Sequence, residues 1–173
     1  DFVMVGAGKR SLSLSSGLSI MVKEQNMGCS RAIRRMQLDT VTRLLAYTYV
    51  KNPEEMAKAV IKGTPIKKFK STDGKALVDG YLVDRMAKDH PWVRKVYDFT
   101  SGYVHFSEQQ FFDSIHSFGN GEGTFLLQVS HIDNNFPESS WEELVSCFNN
   151  LLGILEEILL DYSRHKTANP SLK

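Results

Sequence analysis

Two short segments of this chain concentrate side chains able to act on a phosphate. The first is Arg35-x3-Asp39-x3-Arg43, where a carboxylate lies one helical turn from each of two guanidinium groups. On a solvated face such a cluster contributes only about 0.3–0.5 kcal/mol per pair. In a groove the arginines would hold an anion, and Asp39 would orient them. The second is Ser101-Gly102-Tyr103-Val104-His105-Phe106-Ser107, which puts a histidine, a phenol and hydroxyls at a break between helical segments. Backbone donors are free at a helix end, and an imidazole placed there can serve as acid or base. His105, Arg35 and Arg43 are therefore the candidate catalytic residues, and Asp39, Tyr103, Ser107 and Ser101 the candidate binding residues. The plainer alternative makes the strip a solvated face and His105 a structural side chain.

Other patterns fail on their spacing. Gly6-Ala7-Gly8-Lys9 suggests a phosphate loop, but Val3 and Arg10 stand where a Walker loop needs glycine and Ser or Thr, and Ser11 replaces the third glycine of a dinucleotide loop. Asp98, Ser101 and His105 have the residue types of a hydrolase triad, but nothing around them resembles a nucleophile elbow. His90, His105, His116, His131 and His165 form no metalloprotease-type pair, and neither cysteine has a second ligand at a metal-like spacing. The expectation is a protein with no metal and no cofactor.

The elements that must position these residues are mostly helical. Lys9 to about Asn26 reads as a helix, with Phe2 as its earliest start. Ser30 is a good N-cap for the next, which runs to about Val50 and carries the strip. Projected at about 100° per residue, Ile33, Met36, Leu38, Val41, Leu44, Leu45, Tyr47 and Tyr49 cover well over half its circumference, which places it centrally. Gln37 and Thr48 fall inside that arc and need buried partners. Asn52-Pro53-Glu54-Glu55 opens a further helix, which Gly63 closes. A basic loop over Thr64–Lys75 precedes a helix that begins near Asp73 and stops before Pro91. Pro91 opens another, interrupted by Gly102, and Ser107 with Glu108-Gln109-Gln110 caps a short one. The Gly119–Gly123 turn cluster and the β-rich Thr124–Ser130 predict a hairpin or extended insertion near 118–133. Ser139 or Ser140 caps a last helix from about Trp141 to Arg164, with an apolar stripe roughly 140° wide. The fold class is all-α: one bundle of five to seven helices over 1–173, with a frayed tail at 166–173.

Composition agrees with a soluble globular domain. Of 173 residues, 42% are hydrophobic and 24% charged, enough apolar side chains for a single core. A net charge of +1 advertises no nucleic-acid or membrane partner, although Arg31, Arg34 and Arg35 are the first place to look for a local basic face. Cys29 and Cys147 make no disulfide framework, no apolar run approaches a membrane span, and Lys9 and Arg10 follow the apolar start rather than precede it. These features predict a cytoplasmic protein with no membrane partner.

Three stretches together resemble a known pattern: Arg35-Met36-Gln37-Leu38-Asp39 with Arg43, Ser101–Ser107, and Phe136-Pro137-Glu138-Ser139. The chain resembles an uncharacterised family of bacterial all-helical proteins with R-x-Q-L-D-x3-R and S-G-Y-x-H-x-S segments. It is similar, more loosely, to the HEPN helical bundles of toxin–antitoxin and phage-defence systems. The HEPN likeness implies a metal-independent ribonuclease completed across a homodimer, with an arginine a few residues before the catalytic histidine. Here Arg94 precedes His105 by eleven residues, about 16 Å of helical rise, so Arg35 or Arg43 would have to serve instead. On that reading RNA or another phosphate-bearing ligand is the partner, and His105 lies within reach of the strip. The alternative is a non-catalytic helical module for dimerisation or partner binding, with Trp92, Phe106, Phe111 and Phe112 as candidate dimer contacts.

Overall fold

The computed structural model of the chain describes residues 1–105, 107–118, 123 and 125–168. Phe106, most of the Gly119–Gly123 turn cluster, Thr124 and the end of the tail lie outside the described residues. Among those described, seven helices and one hairpin make an all-α bundle: α1 (Phe2–Lys23), α2 (Met27–Leu45), α3 (Pro53–Ile61), α4 (Asp79–Met86), α5 (Trp92–Val104), α6 (Glu108–Asp113), the antiparallel strands β1 (Ile115–Phe118) and β2 (Phe125–Leu127), and α7 (Glu138–Ala168). None of these helices is long and apolar enough to cross a membrane.

α2 is the centre, with α1, α4, α5 and α7 packed around it, as the wide apolar arc predicts. Leu38, Val41 and Leu44 meet Leu151, Ile154 and Leu155 of α7, Val83 and Met86 of α4, and Val93 of α5 in the largest core cluster. A second cluster joins Met27 and Leu18 to Leu144 and Phe148, and a third gathers Tyr47, Met56, Leu77 and Leu82.

Several boundaries differ from the sequence reading. α2 starts at Met27, so Ser30 sits inside it and its hydroxyl donates back to the Asn26 carbonyl at 2.7 Å. The cap is Asn26, which accepts from the Cys29 amide at 2.9 Å, and Asp133 accepts from the Met27 amide at 2.7 Å. A carboxylate on the first turn also suits the positive end of the helix dipole. α2 then tightens into a 3-10 turn at Ala46–Thr48 instead of continuing to Val50. α4 begins at Asp79, because Lys70 and Ala76 pair across the turn at Gly74.

α5 does not break at Gly102. It runs through to Val104, and Gly102 is used for close packing: a Cβ there would overlap the Gln109 side chain and crowd the Ser107 hydroxyl. α7 starts at Glu138, directly after Pro137, and its last turns extend through Lys166 to Ala168. Both Asn52 and Ser107 cap as expected, the latter in a full capping box with Gln110. The hairpin falls at the predicted insertion but begins earlier, at Ile115.

Because Leu151 is fully buried and Leu160 is 46% exposed on the same helix, the two should respond differently to truncation. Leu151→Ala is expected to destabilise by about 2–5 kcal/mol and Leu160→Ala by less than about 0.5 kcal/mol in urea denaturation. Equal losses would contradict the placement of the α2–α7 interface.

Candidate functional site

The side chains that α2 turns toward α5 and α7 include two arginines with unlike surroundings. Arg31 is matched by a carboxylate. Its guanidinium donates to the Tyr103 hydroxyl and to Asp113, both at 2.6 Å, and lies over the rings of Tyr103, Phe136 and Phe99 at 4.7, 4.7 and 5.3 Å. Tyr103 in turn reaches the other Asp113 oxygen at 3.4 Å. Burial and the neighbouring Asp113 carboxylate push the Tyr103 phenol up to about 12, with Arg31 and Arg34 opposing them, so it stays a proton donor at neutral pH.

Arg34, one turn on, is 3% exposed and has no carboxylate within 4 Å among the described residues. Its surroundings are the Cys147 thiol, the more distant Glu143 carboxylate and the Phe99 ring, whose centroid is 6.0 Å away. Its Nε has no hydrogen-bond partner. Burial depresses the affinity of this guanidinium for its proton, the thiol and Glu143 offset part of that, and Arg31 adds to it. Arginine stays charged regardless, so a cation is held in the protein with only partial compensation.

Arg34 opens on a groove of about 390 Å³ between α2, α5 and the start of α7. Lys95 adds positive charge, Glu143 opposes it, Arg31 is matched by Asp113, and Trp92 and Phe99 supply aromatic wall. The groove can therefore hold an anion together with a flat or apolar group. Among the described residues, no three His, Cys, Asp or Glu side chains gather as a metal site.

None of the candidate catalytic or binding residues read from sequence lines this groove, and Asp39 and Arg43 line a different cleft. Tyr103 reaches Arg31, not the Arg35 strip. Arg35 is buried at 6% exposure, pairs with Asp39 and stacks on Tyr97 at 4.0 Å. Arg43, with half of its side chain exposed, makes long contacts of 3.3 and 3.4 Å with Asp79. Ser101 donates back to the Tyr97 carbonyl at 2.7 Å, and Ser107 caps α6.

His105 is the exposed C-cap of α5. Its carbonyl accepts from Gln110, and its imidazole makes no hydrogen bond or ion pair among the described residues. α5 runs against α2 so that Tyr103 meets Arg31 while Tyr97 meets Arg35. The His105 end of α5 is thus at the level of Arg31, and Arg43 lies about 18 Å farther along α2.

Asp113, Trp92, Lys95, Glu143 and Cys147 were not singled out for this role from sequence. For Arg34 a signal existed: at about 100° per residue it projects between Val41 and Leu45, in the middle of the apolar arc.

No protein-family model matches the chain, and neither does any curated protein or solved structure.

The raised Tyr103 pKa sets a pH window. A phenol whose folded pKa exceeds its unfolded value of about 10 stabilises the fold below pH 10 and loses that contribution as pH climbs through about 12. Tyr103→Phe should cost about 1.5–3 kcal/mol at neutral pH through its lost charge-assisted hydrogen bonds. The gap between wild type and variant should narrow from pH 10 to 12. A gap that stayed constant would mean that burial does not hold the phenol protonated.

Proposed function

We propose that this protein binds a phosphate-bearing ligand in the α2–α5–α7 groove, with single-stranded RNA as the ligand class, in the manner of a HEPN-like bacterial domain. The observation that carries the reading is Arg34: a nearly fully buried guanidinium, on the wall of an open groove, without a carboxylate of its own. A phosphate oxygen would complete its coordination, and Lys95 at the rim would take a second phosphate. Trp92 and Phe99 offer the stacking surface that unpaired bases use, which every base can exploit through its π face. Arg31, neutralised by Asp113, shapes the groove rather than contributing net charge.

Two phosphate contacts, at Arg34 and Lys95, predict a shallow salt dependence. Affinity for a labelled oligo(U) RNA, read by anisotropy, should fall with a log–log slope of about −1.4, and Arg34→Met should halve it. The ligand should raise the melting temperature by about 5–10 °C at a hundredfold excess over Kd. In Arg34→Met that rise disappears, while the unliganded protein melts at the same temperature or higher, since replacing an uncompensated buried charge with an apolar side chain relieves desolvation. A variant destabilised by several kcal/mol without ligand would show that Arg34 is already satisfied, and the reading would fall.

Cleavage asks more than binding. It needs an acid or base at the reacting phosphate, and His105, two residues beyond Tyr103 on an exposed helix end, is the group proposed for it. His105→Ala should leave RNA affinity intact and remove any 2′,3′-cyclic phosphate product. Cleavage that survives the substitution excludes His105.

A second reading, dimerisation, rests on the exposed apolar side chains of α6 and β2: Phe112 is 62% exposed and Leu126 58%. Phe112→Glu should convert a sedimenting dimer to monomer; a wild-type monomer at tens of micromolar removes this reading.

A further inference from the structure

A second cleft lies on a different face of α2, between α1 and the C-terminal half of α2, closed at its end by Tyr47 and Ile66. Its volume is about 290 Å³, space for roughly ten non-hydrogen atoms at about 30 Å³ each. We propose that this cleft is a binding site for a small organic carboxylate with an apolar body.

Tyr47 is the first support. It is 7% exposed, lines the cleft, and its hydroxyl has no hydrogen-bond partner among the described residues. The oxygen itself is not enclosed, so it opens on the cleft, where a ligand can reach it. Burial raises its pKa, so the hydroxyl stays protonated and can donate to a ligand in the cleft.

The guanidinium groups are the second support. Arg10 is steadied through Nε by the Thr40 hydroxyl at 2.9 Å, which leaves its two terminal amino groups for a ligand. Arg43 is held only by long contacts to Asp79, with the side chains 51% and 45% exposed. Both arginines line the cleft beside Asp39, which is occupied by Arg35.

Charge then selects the ligand. Arg10, Arg35 and Arg43 face Asp39 and Asp79, three cations against two carboxylates, leaving one positive charge unmatched. A single carboxylate balances it and accepts the paired donors of an arginine fork, whereas a phosphate dianion would overshoot. Val3, Ala7, Leu44 and Ile66 provide an apolar wall for the rest of the molecule.

The test is isothermal titration of the full chain with 3-phenylpropionate, with 2-phenylethylamine, 3-phenylpropanol and inorganic phosphate as the comparison set. The carboxylate should bind, and the amine, alcohol and phosphate should bind at least tenfold more weakly. Tyr47→Phe should weaken the carboxylate by about tenfold or more, as loss of a hydrogen bond to a charged group does. Arg43→Gln should weaken it similarly, and its exposed position keeps the test valid should the Tyr47 variant fail to fold. Arg34→Met should leave carboxylate binding unchanged, which separates this site from the RNA groove. Absence of heat at 10 mM carboxylate overturns the proposal. So does equal affinity for the amine, the alcohol or phosphate, or carboxylate binding unaffected by Arg43→Gln.

Discussion

A guanidinium cannot shed its proton, so an arginine enclosed in a helical core has to be met there by an anion, a carbonyl or an aromatic face. α2 imposes this requirement three times within five residues, and much of the fold around its N-terminal half answers it. Arg31 receives Asp113 and three rings, so α6 must return to α2 and the Phe136 turn must close over it. Arg35 receives Asp39 from its own helix and the Tyr97 face from α5. Arg34 receives a thiol and a remote carboxylate from α7, which is less than a buried cation needs. Gln37, fully buried one turn farther on with neither amide atom partnered among the described residues, continues the same polar row through the core.

What was readable in the sequence is what depends on near neighbours. The Asn52-Pro53-Glu54-Glu55 start and the Ser107–Gln110 capping box are complete within four residues, and both formed as the residue types require. The start of α2 is not legible locally, because part of its definition comes from Asp133, 106 residues away. Gly102 reads as a helix breaker by propensity, but its lack of a side chain is used for the contact with Gln109, which only the returning α6 reveals. For the candidate site, the residue types were legible and their grouping was not. Arg35–Asp39–Arg43 follows from helical spacing, whereas the Arg31–Tyr103–Asp113 network depends on the antiparallel alignment of α2 and α5, which no local pattern encodes.

The two clefts divide α2 between them. Arg31 and Arg34 belong to its N-terminal half and the α5–α7 side; Asp39, Thr40 and Arg43 belong to its C-terminal half and the α1 side. Arg35 stands between, its charge spent on Asp39 and its plane on Tyr97. No residue lines both clefts, but Val3, Ala7 and Leu44 of one and Trp92 and Val96 of the other pack on the same core cluster.

The cap that Asp133 places on α2 also orders events during synthesis. α1 and α2 form an antiparallel hairpin from contacts close in sequence, such as Gly17 against Ile33 and Arg10 against Thr40. That hairpin can assemble as soon as it leaves the ribosome, since local contacts close quickly. Its other side cannot be covered so early. The Leu38–Val41–Leu44 surface is met first by Val83, Met86 and Val93 and is completed only by Leu151, Ile154 and Leu155, more than a hundred residues later, while the first turn of α2 waits for Asp133. At about 5–20 residues per second, a growing chain exposes that surface for several seconds. The nascent hairpin is therefore the stage of this protein's life at which a chaperone has an apolar surface to protect, and the arrival of α7 ends that requirement.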